Sequence, residues 1–224
     1  MHYPPFPGFT EEGLAFLRDL KAHNEREWFQ PRKTIYEDEL RFPMQCFVAE
    51  FAAEASARRL GLTGSPDHNL FRIYRDTRFS KDKRPYKTHV SCWLTPSGRR
   101  EEDGGLYVHV EPGNVFLGAG YWLPQPPLLR RIRSRLADDP GLGPDLDTRL
   151  RADGLTFESD EQLKRLPRGF EDHAGTEAEP YLKWKSFLAM QRLPDASVLN
   201  PGFVETALAF AEAARPVLDL GRDA

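Results

Sequence analysis

Seven cationic side chains, Arg72, Arg75, Arg78, Lys81, Lys83, Arg84 and Lys87, crowd into residues 72–87, opposed there only by Asp76 and Asp82, in a chain whose formal net charge is −3. A positive stretch in a mildly acidic protein raises the local potential and draws anions. Arginine offers a planar fork that holds phosphate or carboxylate through two N–H donors, and lysine a compact charge. Arg72, Arg75, Arg78, Lys81, Lys83 and Lys87 are therefore candidate ligand-binding residues. Tyr74, Phe79 and Tyr86 interleave with them and offer faces on which a base can stack, and Tyr86 is counted with the ligand-binding set.

Alternation along an extended segment at residues 70–74 sends Arg72 and Tyr74 one way and Ile73 and Arg75 the other. The cations converge only if the loop that follows curls back. Otherwise part of the set pairs internally, with Asp76, Asp82 and Glu111 as partners, because an arginine buried without one is costly. Three readings stay open: a binder of a small phosphate-bearing anion, a nucleic-acid-associated module, and a structural or protein-interaction domain whose basic segment is a salt-bridged brace. A pI near 6.1 disfavours broad electrostatic binding of nucleic acid.

Catalysis, if there is any, falls to His89, His109 and Asp76. An imidazole moves protons near neutral pH, Asp76 can orient a histidine or a water, and Arg75, Arg78 and Lys81 can stabilise developing negative charge. His109 and Glu111 share a strand face by their two-residue spacing, and His89 reaches them if its strand is the neighbour, which makes an imidazole and carboxylate set. Histidines are more often structural, so no metal is assigned. The residues name no cofactor and leave open whether the protein is an enzyme. GxxxxGK[ST], GxGxxG after a strand, GxSxG and HExxH are all missing, which disfavours the familiar nucleotide hydrolases and esterases. Cys46 and Cys92 lack CxxC partners and read as small buried hydrophobes.

The elements that must position these residues follow from periodicity. Thr10 reads as an N-cap, with Leu14, Leu17 and Leu20 as an apolar stripe. Asn24 and Glu27 read as a second capping start. Tyr36, Leu40, Met44, Phe47, Phe51 and Ala55 extend a helix that Pro43 should kink or split and Gly61 should stop. Residues 70–74, 89–94, 105–111 and 114–122 read as strands, the last two joined by a turn at Pro112, Gly113 and Asn114. Leu106, Val108 and Val110 should face the core, and Tyr107, His109 and Glu111 the other way. Gly118 and Gly120 mark a bend or a close approach to the backbone. Residues 97–105 read as a solvated loop. Helices follow at about 128–136 and up to 150, then a short extended piece at 155–157, a returning strand at 182–190 and a last helix from about Pro201.

With 40% hydrophobic and 12% aromatic residues and a mean hydropathy of −0.58, the chain can bury a core. No apolar run is long enough to span a membrane. The opening Met1 to Gly8 segment, rich in proline, should lie extended over the surface, and it lacks the basic and apolar regions of a signal peptide, so a cytoplasmic protein is expected. The fold class expected is α+β, a single domain over residues 1–224 with a central, mainly antiparallel sheet flanked by N-terminal and C-terminal helices. Oligomeric state is left open.

The string RIYRDTRFSKDKRPYKTHV, with FLRDLKAHNEREWF before it and LKRLPRGFEDH and YLKWKSF after it, resembles a widespread family of conserved proteins of unknown function found in bacteria and fungi. The likeness spans nearly the whole chain in order, and it implies no activity, substrate or cofactor. His23 stands where the family more often has a second Asn, and Pro31-Arg32 interrupts a stretch that is usually more helical; both bear on the shape of the second helix.

Overall fold

The Thr10 hydroxyl accepts the Gly13 N–H at 3.0 Å and caps α1 (Glu11–Ala22), with Glu11 and Glu12 at the positive end of its dipole. The expected stripe is the buried one, with Leu14, Leu17 and Leu20 at most 1% exposed. The structure, a computed structural model, describes residues 3–222. Met1 and His2, the first residues of the expected extended segment, lie outside it. The described part of that segment is extended with Pro4, Pro5 and Pro7 exposed, but it is not wholly on the surface, because Phe6 is 2% exposed and its N–H donates to Glu50. A phenyl ring gains more from burial than the flanking prolines gain from water.

Next come α2 (Arg26–Phe29), a 3₁₀ turn at Gln30–Arg32 and α3 (Lys33–Tyr36). The shortness of α2 falls where Pro31-Arg32 was expected to disturb it. The expected capping start is not made: Glu25 occupies the N-cap without a side-chain bond, and Asn24 is used elsewhere. Pro43 sits in the first turn of α4 (Phe42–Ala57). It has no N–H to return to the Glu39 carbonyl, and the chain widens into a π turn over Glu37–Arg41 rather than breaking. Gly13 of α1 lies against that carbonyl, so close that a Cβ there would stand 2.8 Å from it. The helix ends at Ala57, ahead of Gly61, with Arg59 taking the left-handed conformation at φ +56.

Five strands form an antiparallel sheet in the order β1-β2-β3-β5-β4: β1 (Val90–Leu94), β2 (Gly105–Val110), β3 (Val115–Tyr121), β4 (Thr156–Glu158) and β5 (Phe187–Leu193). The fold is α+β, as expected. Asn114 N–H returns to the Glu111 carbonyl at 2.8 Å and closes the β2–β3 turn. Between β3 and β4 run α5 (Pro126–Asp138) and α6 (Leu142–Ala152); α7 (Glu179–Leu182) precedes β5, and α8 (Phe203–Ala213) and α9 (Arg215–Arg222) close the described chain.

Two expected strands need correction. Leu182 ends α7 and β5 starts only at Phe187, because Pro180 favours a first helical turn and Glu179 pairs with Lys183 one turn on. Residues 70–74 form no continuous strand. Phe71 N–H bonds to Ser91 on β1, and then the chain changes partner, with Arg75 N–H bonding to Pro85 and Lys87 N–H to Ile73.

Packing divides the chain into two compact units, Met1–Arg100, Tyr107–Leu117 and Arg192–Leu208 in the first, and Glu101–Leu106, Gly118–Gln191 and Ala209–Ala224 in the second. The core of the first is aromatic, with Phe47 against Phe6 at 5.6 Å and Phe203 at 5.3 Å between ring centroids. Cys46 and Cys92 are buried and unbonded, as expected of small hydrophobes. In the second unit, Trp184 packs edge-on against Phe157 and Tyr181, both at 4.9 Å. There a Cβ on Gly118 would meet Met190 Sδ at 2.8 Å and one on Gly120 the Phe187 carbonyl at 2.1 Å, so β5 is what approaches these glycines. Among the described residues no helix is long and apolar enough to cross a membrane.

Candidate functional site

The partner change at residues 71–75 folds the basic segment back on itself, and Tyr74 and Tyr86 bridge its neck. Tyr86 is 3% exposed and stacks on Phe29 at 4.1 Å, so it anchors the loop and presents no ring to a ligand. Inside the loop the charges pair as one of the sequence readings anticipated. Asp82 takes both arms of Arg84 (3.1 and 2.7 Å) and one arm of Arg75 (2.6 Å). The two guanidinium groups, Arg84 first, hold its carboxyl well below the usual range. Asp76 takes Arg78 bidentately at 3.0 and 2.7 Å. Lys83 donates to the Thr77 carbonyl at 2.9 Å. Lys81 is exposed, as is Phe79 at 95%.

Arg72 and Lys87 are the members of the candidate set that line a cleft of about 620 Å³ in the first unit, together with Tyr36, Phe71, Tyr74 and Arg100. The Lys87 ammonium lies 4.9 Å and the Arg100 guanidinium 4.5 Å from the Phe71 ring centre. Among the described residues no carboxylate lies within ion-pair distance of Arg72, Lys87 or Arg100. The acids at the cleft are taken: Glu37 by Arg41, Asp76 by Arg78, and Asp67 by Tyr3 and Gln45. Burial first, and then the neighbouring charges of Arg100 and Arg72, depress the Lys87 pKa. Arg100 was hidden in sequence by its acidic neighbours Glu101, Glu102 and Asp103, and Phe71 by the weak pattern of an irregular segment.

The face of β2 expected to point away from the core is covered as well. His109 is 7% exposed, stacked on Phe116 at 4.6 Å and beside His89 at 4.2 Å between ring centres. His109 Nδ1 is 3.1 Å from the Tyr107 hydroxyl, and its Nε2 has no hydrogen-bond partner, the nearest carboxylate oxygen being Glu111 Oε2 at 3.6 Å. Thr88 donates to Glu111 Oε1 at 2.7 Å and Asn114 to Oε2 at 3.4 Å, while Lys21 Nζ lies 3.5 Å from Oε1. Burial lowers both histidines, with His109 and Lys87 adding to the effect on His89, which falls to about 4. Burial alone would raise Glu111, but the bonds from Thr88 and Asn114, the Lys21 charge and His109 together outweigh it and lower its pKa. The sequence spacing of His109 and Glu111 pointed to this cluster, and His89, which immediately precedes β1, does come to it. Asp76 is committed to Arg78 and makes no hydrogen bond to either histidine.

The chain belongs to a conserved hypothetical protein family, DUF2461, whose model matches residues 12–220. No curated protein and no solved structure matches it.

Proposed function

We propose that the protein binds a small phosphate-bearing anion in the cleft lined by Arg72, Lys87 and Arg100, and that it does so in the cytoplasm. The observation that carries this reading is that Lys87 and Arg100 lie over the Phe71 ring in a cleft that Arg72 also lines, with no carboxylate among the described residues within ion-pair distance of any of the three. Three positive charges held together repel one another, and an anion relieves the repulsion while taking up the N–H donors. Phe71, Tyr36 and Tyr74 supply apolar wall for the rest of the ligand, in a volume suited to a small metabolite.

The basic loop contributes differently from the sequence expectation. Arg75, Arg78 and Arg84 are spent on Asp76 and Asp82, so they shape the loop, and recognition falls to Arg72 and Lys87 with Arg100 added. A ligand held by the native state raises apparent stability by mass action. A panel of phosphorylated metabolites, nucleotides and short oligonucleotides, followed by thermal unfolding, should therefore show a shift confined to one class of small phosphates. Replacing Arg72 or Arg100 by Ala should each weaken binding by about 10-fold or more, the loss of a charge-assisted hydrogen bond. A shift from oligonucleotides alone, with affinity falling steeply in salt, would support the nucleic-acid reading instead. No shift from any compound leaves the segment as a brace.

A further inference from the structure

We propose that His89, His109 and Glu111 form a binding site for a divalent first-row transition metal ion of the zinc type. The site is separate from the anion cleft and does not rest on it. Each of the three residues offers one ligand atom, and these atoms all lie within 4.8 Å of one another. Donors bound to one tetrahedral ion at about 2.0–2.2 Å stand roughly 3.4 Å apart, so the 3.6 Å between His109 Nε2 and Glu111 Oε2 is already near a ligating separation. The donor of the half-buried His89 lies within 4.8 Å of the other two.

The second, independent observation is His109 Nε2 itself. It is a polar atom on a side chain more than nine-tenths buried, it has no hydrogen-bond partner, and it lies 3.6 Å from Glu111 Oε2. A buried polar atom without a partner is costly unless something binds it. The surroundings are those of a ligand shell. The Tyr107 hydroxyl can accept a hydrogen bond from Nδ1–H, which leaves the Nε2 lone pair for the metal, and Thr88 and Asn114 fix the carboxylate. Phe116 covers the His109 ring and limits its rotation.

The donor set selects the ion. Two imidazoles and one carboxylate suit Zn²⁺, Fe²⁺, Co²⁺ or Ni²⁺, whereas Ca²⁺ and Mg²⁺ take oxygen ligands. Three protein ligands leave a position open for water or a substrate atom. Lys21 opposes the ion, since its ammonium supplies positive charge to Glu111, but its side chain is 64% exposed and can swing into water.

The test is titration of the purified full-length chain with Co²⁺ and Zn²⁺, read by visible ligand-field absorption and by calorimetry. The expected result is saturable uptake of one ion, with affinity falling at least about 100-fold in Glu111→Gln and in His89→Asn, and about 10-fold in Tyr107→Phe, which keeps the ring and removes the support at Nδ1. Lys21→Ala should tighten binding, an outcome that a purely structural cluster would not give. Absence of saturable uptake by the folded wild-type protein overturns the proposal, whatever the variants do. So does uptake of unchanged affinity in Glu111→Gln and His89→Asn, both conservative changes whose folding circular dichroism checks.

Discussion

Asn24 and Tyr86, far apart in sequence, exchange two hydrogen bonds: the Asn24 amide donates to the Tyr86 carbonyl at 3.0 Å, and the Tyr86 N–H donates to the Asn24 side-chain oxygen at 2.9 Å. A side-chain amide thus does for Tyr86 what a neighbouring strand would do. It satisfies both backbone groups of a residue whose ring is buried on Phe29, and it fixes the return of the basic loop.

Replacing Asn24 by Ala should therefore destabilise the protein by about 2–4 kcal/mol, because two buried backbone groups lose their partners at about 1–3 kcal/mol each, with some relaxation. Denaturant unfolding measures this directly. Replacement by Asp keeps the acceptor but loses the donor and buries a charge, and it should be no better tolerated than Ala. A loss below about 0.5 kcal/mol for Asn24→Ala, typical of an exposed site, would mean that the loop is held by Tyr86 stacking alone.

Asp82 sets a pH signature. Its carboxyl is held below the usual range by Arg84 and Arg75, so the folded state takes up the proton less readily than the unfolded one. Its contribution to loop order is then complete above about pH 4, the ordinary aspartate range, and is lost as pH falls through the lower folded value. NMR titration of the Asp82 carboxyl should give a midpoint below an ordinary aspartate. In Asp82→Asn, amide exchange across residues 75–86 should quicken, with little change in global unfolding, since an exposed pair adds little to overall stability. A normal midpoint would mean that these pairs do not persist in solution.

The sequence made legible what regular periodicity controls. The stripe of α1, the inward face of β2 and the turn at Gly113 each repeat a simple spacing. Charge types likewise marked Asp76 and Asp82 as partners for the basic segment, and the spacing of His109 and Glu111 marked the histidine cluster. What resisted reading depends on contacts distant in sequence. Asn24 looked like a helix cap because Asn favours caps, and its use by Tyr86 becomes visible only when the loop has folded back. Arg100 looked like one charge in a solvated loop, and nothing local aims it at Phe71. The strand expected from residue 182 failed for a local reason, in that Pro180 and the Glu179–Lys183 pair started a helical turn where alternation alone suggested extension.

Three glycines separate space from backbone conformation. At Gly120 both are restrictive: φ is +133 and a Cβ would stand 2.1 Å from the Phe187 carbonyl, a backbone atom that cannot yield. At Gly118 only space is restrictive, and the neighbour is the flexible end of Met190 at 2.8 Å. At Gly113 only conformation is, with φ +77 and nothing within 4 Å. Alanine at Gly120 should therefore cost about 4 kcal/mol or more, in the range of exceptional single changes. At Gly113 it should cost about 1–2 kcal/mol, the penalty of a left-handed non-glycine residue. At Gly118 the cost should stay below about 1.5 kcal/mol, because a methionine repacks readily. Unfolding of the three variants under one set of conditions checks the order. If Gly118→Ala proved as damaging as Gly120→Ala, the approach of β5 to β3 would have to be as rigid at Met190 as it is at the Phe187 carbonyl.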